Sequence, residues 1–206
     1  MVLVQYKPTR SVLLQLRRTR RTAERGHKLL KLKQDALIVE FFRVLERAKA
    51  VRSNLVDKYK IAEARIAIAR AIEGSIGVKS AAFALTEVPS LELKTKNVMG
   101  ILVPKIDAKA VRKRIDERGY GIIGTSPRID EAAEAYENLV EDVITAAEIE
   151  TTMRRLIEEI EKVKRRVNAL EYRVIPELKA TEAFIRQRLE EMERDNFMRL
   201  KRFKST

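Results

Sequence analysis

Residues 149–174 read IETTMRRLIEEIEKVKRRVNALEYRV, and an apolar side chain returns in them at alternating steps of four and three. A repeat of this kind predicts a coiled-coil seam, in which a helix buries one narrow stripe against a partner helix. All eight seam positions are apolar: Ile149, Met153, Leu156, Ile160, Val163, Val167, Leu170 and Val174. We therefore predict a long helix here that needs a partner of similar length.

The first third of the chain carries the matching pattern. Between Thr9 and Ile72 there is no proline and a single glycine, Gly26. Ten of the first thirteen seam positions are apolar. These thirteen are Leu13, Leu16, Arg20, Ala23, His27, Leu30, Gln34, Leu37, Phe41, Val44, Ala48, Val51 and Leu55, and the pattern goes on through Tyr59, Ala62, Ile66 and Ala69.

The three polar seam positions are Arg20, His27 and Gln34, each seven residues from the next. Polar residues at seam positions lower the stability of a coiled coil but specify its register. We interpret all three as register residues, including His27, because a lone histidine on a helix face lacks the companion ligands of a metal site.

The second long helix is predicted to begin at Ser126-Pro127. Serine caps helix N-termini, proline suits the first helical position, and Asp130 favours the positive end of the helix dipole. Pro176 is expected to bend or loosen this helix, since proline lacks an N–H group. Beyond it the seam resumes at Leu178, Thr181, Ile185, Leu189 and Met192.

The two helices are predicted to run antiparallel, with residue i near residue 201 − i. Residues 130–159 carry ten acidic and two basic side chains, whereas their predicted partners, residues 42–71, carry eight basic and three acidic ones. Opposite charges beside an antiparallel seam help to set orientation. The predicted fold class is therefore mostly α, a long two-helix antiparallel coiled coil with a small β-hairpin-containing region at its turn end.

We divide the chain into a first helix at 9–72, a middle region at 74–126 and a second helix at 127–200. In the middle region Gly74 and Gly77 are expected to end the first helix. Further predictions for this region are short strands at 82–88, 91–95 and 98–103, turns at Pro89-Ser90 and Lys96-Asn97, and a short helix at about 107–118.

Gly119, Gly121 and Gly124 have the spacing of a dinucleotide-binding fingerprint. That fingerprint requires a preceding strand, but the charged run of residues 112–118 comes before it. We therefore expect a turn between helices. No other pattern carries chemistry, so we predict no catalytic residue, no cofactor and no metal.

Length and composition limit the class of protein and the kinds of partner. The chain has 206 residues, no cysteine, and no apolar run near the length of about 20 residues that spans a bilayer. Its net charge of +13 favours an acidic protein surface or a nucleic acid as partner. Neither a secretory signal nor a transit peptide is expected at the start.

Basic residues concentrate at both ends of the chain, which an antiparallel fold brings to one tip. Residues 7–33 hold ten Lys or Arg and one Glu, and residues 194–204 hold five Lys or Arg and one Asp. The tip could be an ordinary solvated surface, a phosphate-binding surface, or a part that turns inside an acidic or polar protein sleeve. The candidate interaction residues are Arg17, Arg18, Arg21, Arg25, Lys28, Arg199, Lys201 and Arg202.

Several runs resemble the D subunit of the archaeal and vacuolar ATPases across nearly the whole chain. They are Lys7-Pro8-Thr9-Arg10, AERGHKLLK at 23–31, Gly124-Thr125-Ser126-Pro127, RVNALEY at 166–172 with Val174-Ile175-Pro176, and EEMERDNF at 190–197 with Arg199-Leu200-Lys201.

This resemblance implies a non-catalytic central-stalk shaft whose helical ends enter a hexamer of A and B subunits. It also implies contacts of the middle region with the F subunit of the stalk and with the subunit that links the stalk to the membrane rotor ring. The expected location is the cytoplasmic side of the cell membrane, as a peripheral part of a membrane-bound complex that moves protons or sodium ions. Direct nucleic-acid binding is not expected.

Two other functions remain open from the residues alone. A prefoldin-like chaperone subunit is also a coiled coil with hairpins at one end, although its helices are normally shorter. A basic coiled coil that binds nucleic acid would show strongly salt-dependent affinity.

Overall fold

A computed structural model describes residues 7–84, 89–109, 111–114, 118–120 and 125–204. The elements are helix α1 (Arg10–Phe83), strands β1 (Ser90–Val98) and β2 (Ile101–Lys109), helix α2 (Pro127–Ala169), a π-helical turn (Leu170–Val174) and helix α3 (Ile175–Lys204). The predicted fold class is confirmed, because long helical segments pack together and the two strands form one small antiparallel sheet.

Side-chain hydroxyl groups cap the N-termini of both long helices, and the cap at Ser126 is the one that the sequence predicted. At α1, the hydroxyl of Thr9 accepts a hydrogen bond from the Val12 N–H at 3.3 Å. At α2, the hydroxyl of Ser126 accepts from the Arg128 N–H at 3.3 Å, and Pro127 is the first helical residue. These oxygens satisfy N–H groups that have no partner within the helix.

The chain forms two compact units. The terminal unit contains residues 1–38 and 160–206, so it joins the start of α1 to the end of α2 and to α3. Its buried apolar side chains lie on both helical segments and are Leu16, Leu37, Val163, Val167 and Ile185. Burial of a large apolar side chain contributes about 1.5–3 kcal/mol before the entropy of chain ordering is subtracted.

The middle unit contains residues 39–159 and has an alanine-rich core. One cluster joins Ala69, Ala81, Ile129 and Ala132, and a second joins Ala62, Ala135 and Leu139. The distance between packed helices depends on the side chains at their contact, and small ones allow a close approach.

The helix pairs are antiparallel in each unit. In the terminal unit Arg17 pairs with Glu182 and His27 with Glu171; in the middle unit Lys58 pairs with Asp142. As the first residue number rises the second falls, and each pair adds to a value close to the predicted 201.

The seam predicted from periodicity is the buried stripe of α1. None of its thirteen positions from Leu13 to Leu55 is exposed, and Ala62 and Ala69 are fully buried. The prediction was wrong at Tyr59 and Met192, which are 50% and 41% exposed.

The break predicted at Gly74 exists, but the helix does not end there. Gly74 has φ 76° and ψ 163°, after which helical structure resumes and extends to Phe83. The predicted end at Ile72, the stop at Gly77 and the strand at 82–88 are therefore wrong for the residues that are described; residues 85–88 lie outside them. The extra turns form because Ala81, with Val78 beside it, packs against the core made by Ala69 and Ile129.

The hairpin is longer than predicted and turns later. Its strands pair over nine residues each, from Ser90 opposite Lys109 to Val98 opposite Ile101. The predicted turn at Lys96-Asn97 lies inside β1, and Ser90 begins that strand. Met99 and Gly100 make the actual turn, with φ of 52° and 85°, and two positive φ values are what a type I′ hairpin turn requires.

The predicted short helix at 107–118 is wrong at every described residue. Asp107 does not cap a helix, because it lies in β2 and its carboxylate binds the Lys94 ammonium at 2.7 Å. Residues 111–114 and 118 are not helical, while 110 and 115–117 lie outside the described residues. Cross-strand pairing and this ion pair therefore hold Asp107 in β2, where the sequence predicted the start of a helix.

Pro176 perturbs the second helix as predicted. Residues 170–174 form a π-helical turn, and the Ile175 N–H donates to the Leu170 carbonyl five residues earlier. A π turn of this kind accommodates a residue that cannot donate its own backbone hydrogen bond.

Candidate interaction surfaces

The eight basic residues singled out from the sequence all lie in the terminal unit. Arg18, Arg21, Arg25 and Lys28 are exposed along α1, and Arg199, Lys201 and Arg202 are exposed on the last turns of α3. A contact between Arg10 and Glu193, 2.6 Å long, joins the start of α1 to the end of α3. The structure thus places both basic segments on the same pair of helices.

Arg17 is the eighth of these basic residues, and it differs from the other seven because it is half-buried and bound to a carboxylate. Its Nε donates to Glu182 Oε1 at 3.1 Å, while Arg20 Nε donates to Glu182 Oε2 at 2.9 Å. Glu182 has only 15% of its side chain exposed, so two guanidinium groups share one largely shielded carboxylate. Arg17 is therefore a bridge between helices as well as part of the basic surface.

Arg20 is a polar seam residue whose guanidinium contacts two carboxylates. Beyond Glu182 it donates to Glu24 Oε1 at 2.9 Å, and the negative charges of Glu182 and then Glu24 raise the pKa of its guanidinium. A polar group at a seam position is tolerated when it is hydrogen-bonded in this way. The register role predicted for Arg20 rests on its bond to Glu182 across the helix pair.

His27 and Gln34 occupy the next two polar seam positions. The His27 Nε2 lies 3.3 Å from Glu171 Oε2, and 18% of the histidine side chain is exposed. Gln34 is half-buried. His27 therefore also contacts the opposite helix, and its role in register stays a prediction.

The tip of α3 is apolar as well as basic, which sequence reasoning missed. Four large side chains there are 61–83% exposed: Phe197, Met198, Leu200 and Phe203. The sequence does carry a sign of this surface. Apolar residues continue after the seam ends near Asn196, but their spacing no longer matches the buried stripe. Exposed apolar side chains among basic ones are typical of a surface that contacts another protein.

A buried arginine in the middle unit was also missed. Arg118 is 5% exposed, and its guanidinium donates to Asp130 Oδ1 and to Glu137 Oε2, each at 3.1 Å. Burial alone would lower the pKa of Arg118, but the bonds to Glu137 and Tyr120 outweigh it and raise that pKa. In the sequence Arg118 looks like the end of a solvated charged run, so no local signal marks it.

Tyr120 completes this group, since its hydroxyl donates to Asp130 Oδ1 at 2.6 Å. Burial and then this hydrogen bond raise the pKa of Tyr120 to about 12. Between Arg118 and Tyr120 lies Gly119, with φ 77°, where an added Cβ would stand 2.6 Å from the Ala84 carbonyl oxygen. This glycine is needed for close backbone approach, while Gly121 and Gly124 lie outside the described residues.

Comparison with known families identifies the chain. The family model for the D subunit of ATP synthase matches residues 12–205. The chain belongs to this family. The D subunit is a stalk component of the ATP synthase and not a catalytic one, so catalysis lies on other subunits of the complex.

Archaeal relatives match nearly the full length of this D subunit. A protein of Methanococcoides burtonii, named as the D subunit of A-type ATP synthase, is 56% identical over 97% of both chains. Proteins of the same name from Methanoregula boonei and Archaeoglobus fulgidus are 52% and 51% identical, over 100% and 98% of this chain and 98% and 97% of theirs.

Neither a membrane span nor a metal cluster is found in the part of this D subunit that the structure describes. No helix among the described residues is both long and apolar enough to cross a bilayer. No group of three or more His, Cys, Asp or Glu side chains in the same residues is arranged to hold a metal ion.

Proposed function

We propose that this chain is the central-stalk rotor shaft of an A-type ATP synthase. In this role it couples ATP hydrolysis or synthesis in a hexamer of A and B subunits to proton or sodium translocation. The observation that carries the proposal is an antiparallel helix pair with a shielded cross-helix ion network, in a chain that the family model for the D subunit matches over residues 12–205.

The helix pair suits torque transmission for a physical reason. A single exposed helix of this length bends and frays, whereas two helices that bury a common stripe resist both. The two helices of the pair have unlike sequences, so their outer faces differ around the axis. Such an asymmetric surface presents a different face to each of three catalytic sites and biases their conformations in turn.

We assign the hexamer contact to the terminal unit, through its exposed basic residues and the apolar side chains of α3. The middle unit is assigned to the F subunit of the stalk and to the subunit that links the stalk to the membrane rotor ring. The location that follows is peripheral, on the cytoplasmic side of the membrane. The chaperone and nucleic-acid alternatives are set aside because no contact among the described residues favours them over the family match.

The rotor role is tested with the assembled complex. The chain has no cysteine, so Ser90→Cys creates a single labelling site on an exposed residue. A bead or dye attached there is expected to rotate when ATP is added to immobilised hexamers. A label that stays fixed while ATP is hydrolysed, or a hexamer whose coupled ion pumping survives deletion of this chain, would refute the proposal.

The hexamer contact is tested by charge reversal. We expect Arg21→Glu with Arg25→Glu to slow association with the A/B hexamer by roughly tenfold or more, and added salt to shrink the difference. The matched control is Lys49→Glu with Arg52→Glu, which makes the same change at exposed positions of α1 in the middle unit. Equal effects of the two variants would show that net charge, and not this surface, steers assembly.

A further inference from the structure

The two outer edges of the hairpin, one on each strand, have different surroundings. On β2, the Ile106 N–H donates to Glu148 Oε2 at 2.9 Å, and the Leu102 carbonyl accepts a hydrogen bond from the Arg155 guanidinium. Glu148 and Arg155 are seven residues apart on α2, so one helix face covers this edge. No such cover of strand β1 is found among the described residues, and residues 90–97 are all exposed.

The register shows which backbone groups of β1 face outward. Ile106 uses its N–H outside the ladder, so Ile106 and the opposite residue Leu93 form a pair without mutual hydrogen bonds. Because such pairs alternate, the outward-facing residues of β1 are Leu91, Leu93, Thr95 and Asn97. Pro104 agrees with this assignment: it lies opposite Thr95, where β2 needs no N–H for the ladder.

The side chains of β1 separate into two chemically distinct faces. Leu91 and Leu93 lie on one face and are 53% and 73% exposed. Glu92, Lys94 and Lys96 lie on the other. Residues 90–109 carry four lysines, one glutamate and one aspartate, which gives the hairpin a net charge of +2.

We propose that the open edge of β1 accepts an extended segment of another subunit of the complex as a third strand. The segment alternates apolar and acidic side chains, which places its apolar residues beside Leu91 and Leu93 and its acidic residues beside Lys94 and Lys96. Backbone hydrogen bonds along the outward edge supply affinity, and the alternating side chains supply specificity.

Charge distinguishes this occupant from a second copy of the chain. A second β1 edge would bring another hairpin of net charge +2, on a chain of net charge +13, against the first. Lysine on an exposed edge strand opposes such self-pairing. An acidic strand gains attraction from the same residues.

The edge is tested first with the full-length chain and a synthetic peptide of four Glu-Val repeats, blocked at both ends. Amide hydrogen exchange is measured by NMR. We expect this peptide to slow exchange at Leu91, Leu93, Thr95 and Asn97 by at least tenfold, and a Lys-Val peptide to have no such effect. The amides of Glu92, Lys94 and Lys96 already belong to the ladder and are expected to exchange slowly throughout.

Two variants sharpen the result. Thr95→Pro removes one outward N–H without removing a ladder bond, so it should abolish the peptide's effect, whereas Thr95→Val should retain it. Lys94→Glu with Lys96→Glu keeps every amide and should transfer the effect to the Lys-Val peptide. Slow exchange at the Lys94 amide of the Thr95→Pro chain without peptide shows that the hairpin of this variant is folded. If that amide exchanges fast, the hairpin is unfolded, and the response of Lys94→Glu with Lys96→Glu to the two peptides tests the proposal instead.

The proposal is overturned if outward amides exchange equally fast with and without the acidic peptide, or if rising concentration of the chain alone protects them. In the assembled complex the same four amides should be slow, and Thr95→Pro should free the three that remain, those of Leu91, Leu93 and Asn97, while the hexamer stays attached. The identity of the partner as a subunit of the complex rests on the proposed rotor function. A chain that binds the peptide but fails to assemble with the hexamer refutes that function and leaves the strand site standing.

Discussion

Two glycines of α1 should respond to the same substitution with opposite signs. Gly26 lies within regular helix, and an added Cβ would meet no atom within 4 Å. Alanine is favoured over glycine in a helix interior by about 1 kcal/mol, because glycine loses more backbone entropy on folding. We therefore expect Gly26→Ala to stabilise the protein.

At Gly74 the space is equally open but the backbone is not helical. Its φ of 76° with ψ of 163° is a conformation that only glycine adopts without strain. An added Cβ meets no atom within 4 Å there either, so the whole cost is conformational, about 1–3 kcal/mol. Gly74→Ala should therefore destabilise the protein or force the kink to straighten.

Thermal unfolding followed by circular dichroism at the helix band measures both variants. With a shift of about 2–4 °C per kcal/mol for a chain of this size, Gly26→Ala should raise Tm by about 2–4 °C and Gly74→Ala should lower it by about 2–12 °C. If both substitutions raise Tm alike, Gly74 is in ordinary helix and the kink between the seam and residues 75–83 does not exist.

Three further predictions use the same stability assays. Leu156→Ala, at a fully buried seam position, should cost about 2–5 kcal/mol in a urea titration, whereas Ile157→Ala at its 41% exposed neighbour should change stability by about 0.5 kcal/mol or less; equal effects would refute the seam. Glu182→Ala leaves Arg17 and Arg20 without their shared carboxylate, so it should lower Tm more than Glu190→Ala at a 56% exposed position. If Glu182→Ala lowers Tm by less than Glu190→Ala, the result contradicts a shielded ion network around Glu182. Since the pKa of Tyr120 is raised to about 12, the contribution of Tyr120 to stability should be constant below pH 10 and be lost as pH rises toward 12. The difference in stability between the native chain and Tyr120→Phe should therefore shrink only between pH 10 and pH 12. A difference that stays constant through this interval would show that the tyrosine is unperturbed.

The long helices were predictable because their signal is repeated many times. Each seam position adds one observation of the same period, so a few polar exceptions such as Arg20 do not hide it. The start of α2 at Pro127 was predictable for a different reason, since capping needs particular residue types at one position.

The middle unit was harder to predict because its structure depends on contacts between distant residues. Residues 75–83 are helical through burial against Ile129 and Ala132, which no local pattern announces. In the sequence Asp107 has the features of a helix cap, but strand pairing places it beside Lys94 and in β2. The burial of Arg118 depends on two carboxylates, Asp130 and Glu137, that follow it by more than ten residues.

The cross-helix ion pairs matter more for register than for stability. Exposed or half-exposed pairs contribute little to unfolding free energy, because solvent screens them. Their effect on alternative registers is larger. A slip of one heptad would keep the apolar seam in contact, yet Arg20 would then face Ile175 or Leu189 in place of Glu182.

The same slip removes the partner at three other cross-helix pairs. Lys58 would face Ala135 or Ile149 in place of Asp142, and neither offers an acceptor. His27 would meet Lys164 or Leu178, and Arg10 would meet Arg186 or Leu200. Each slipped register therefore sets cations against apolar or like-charged side chains at several places at once. An apolar seam alone cannot distinguish one heptad from the next, so we predict that these carboxylates select a single alignment of the two helices.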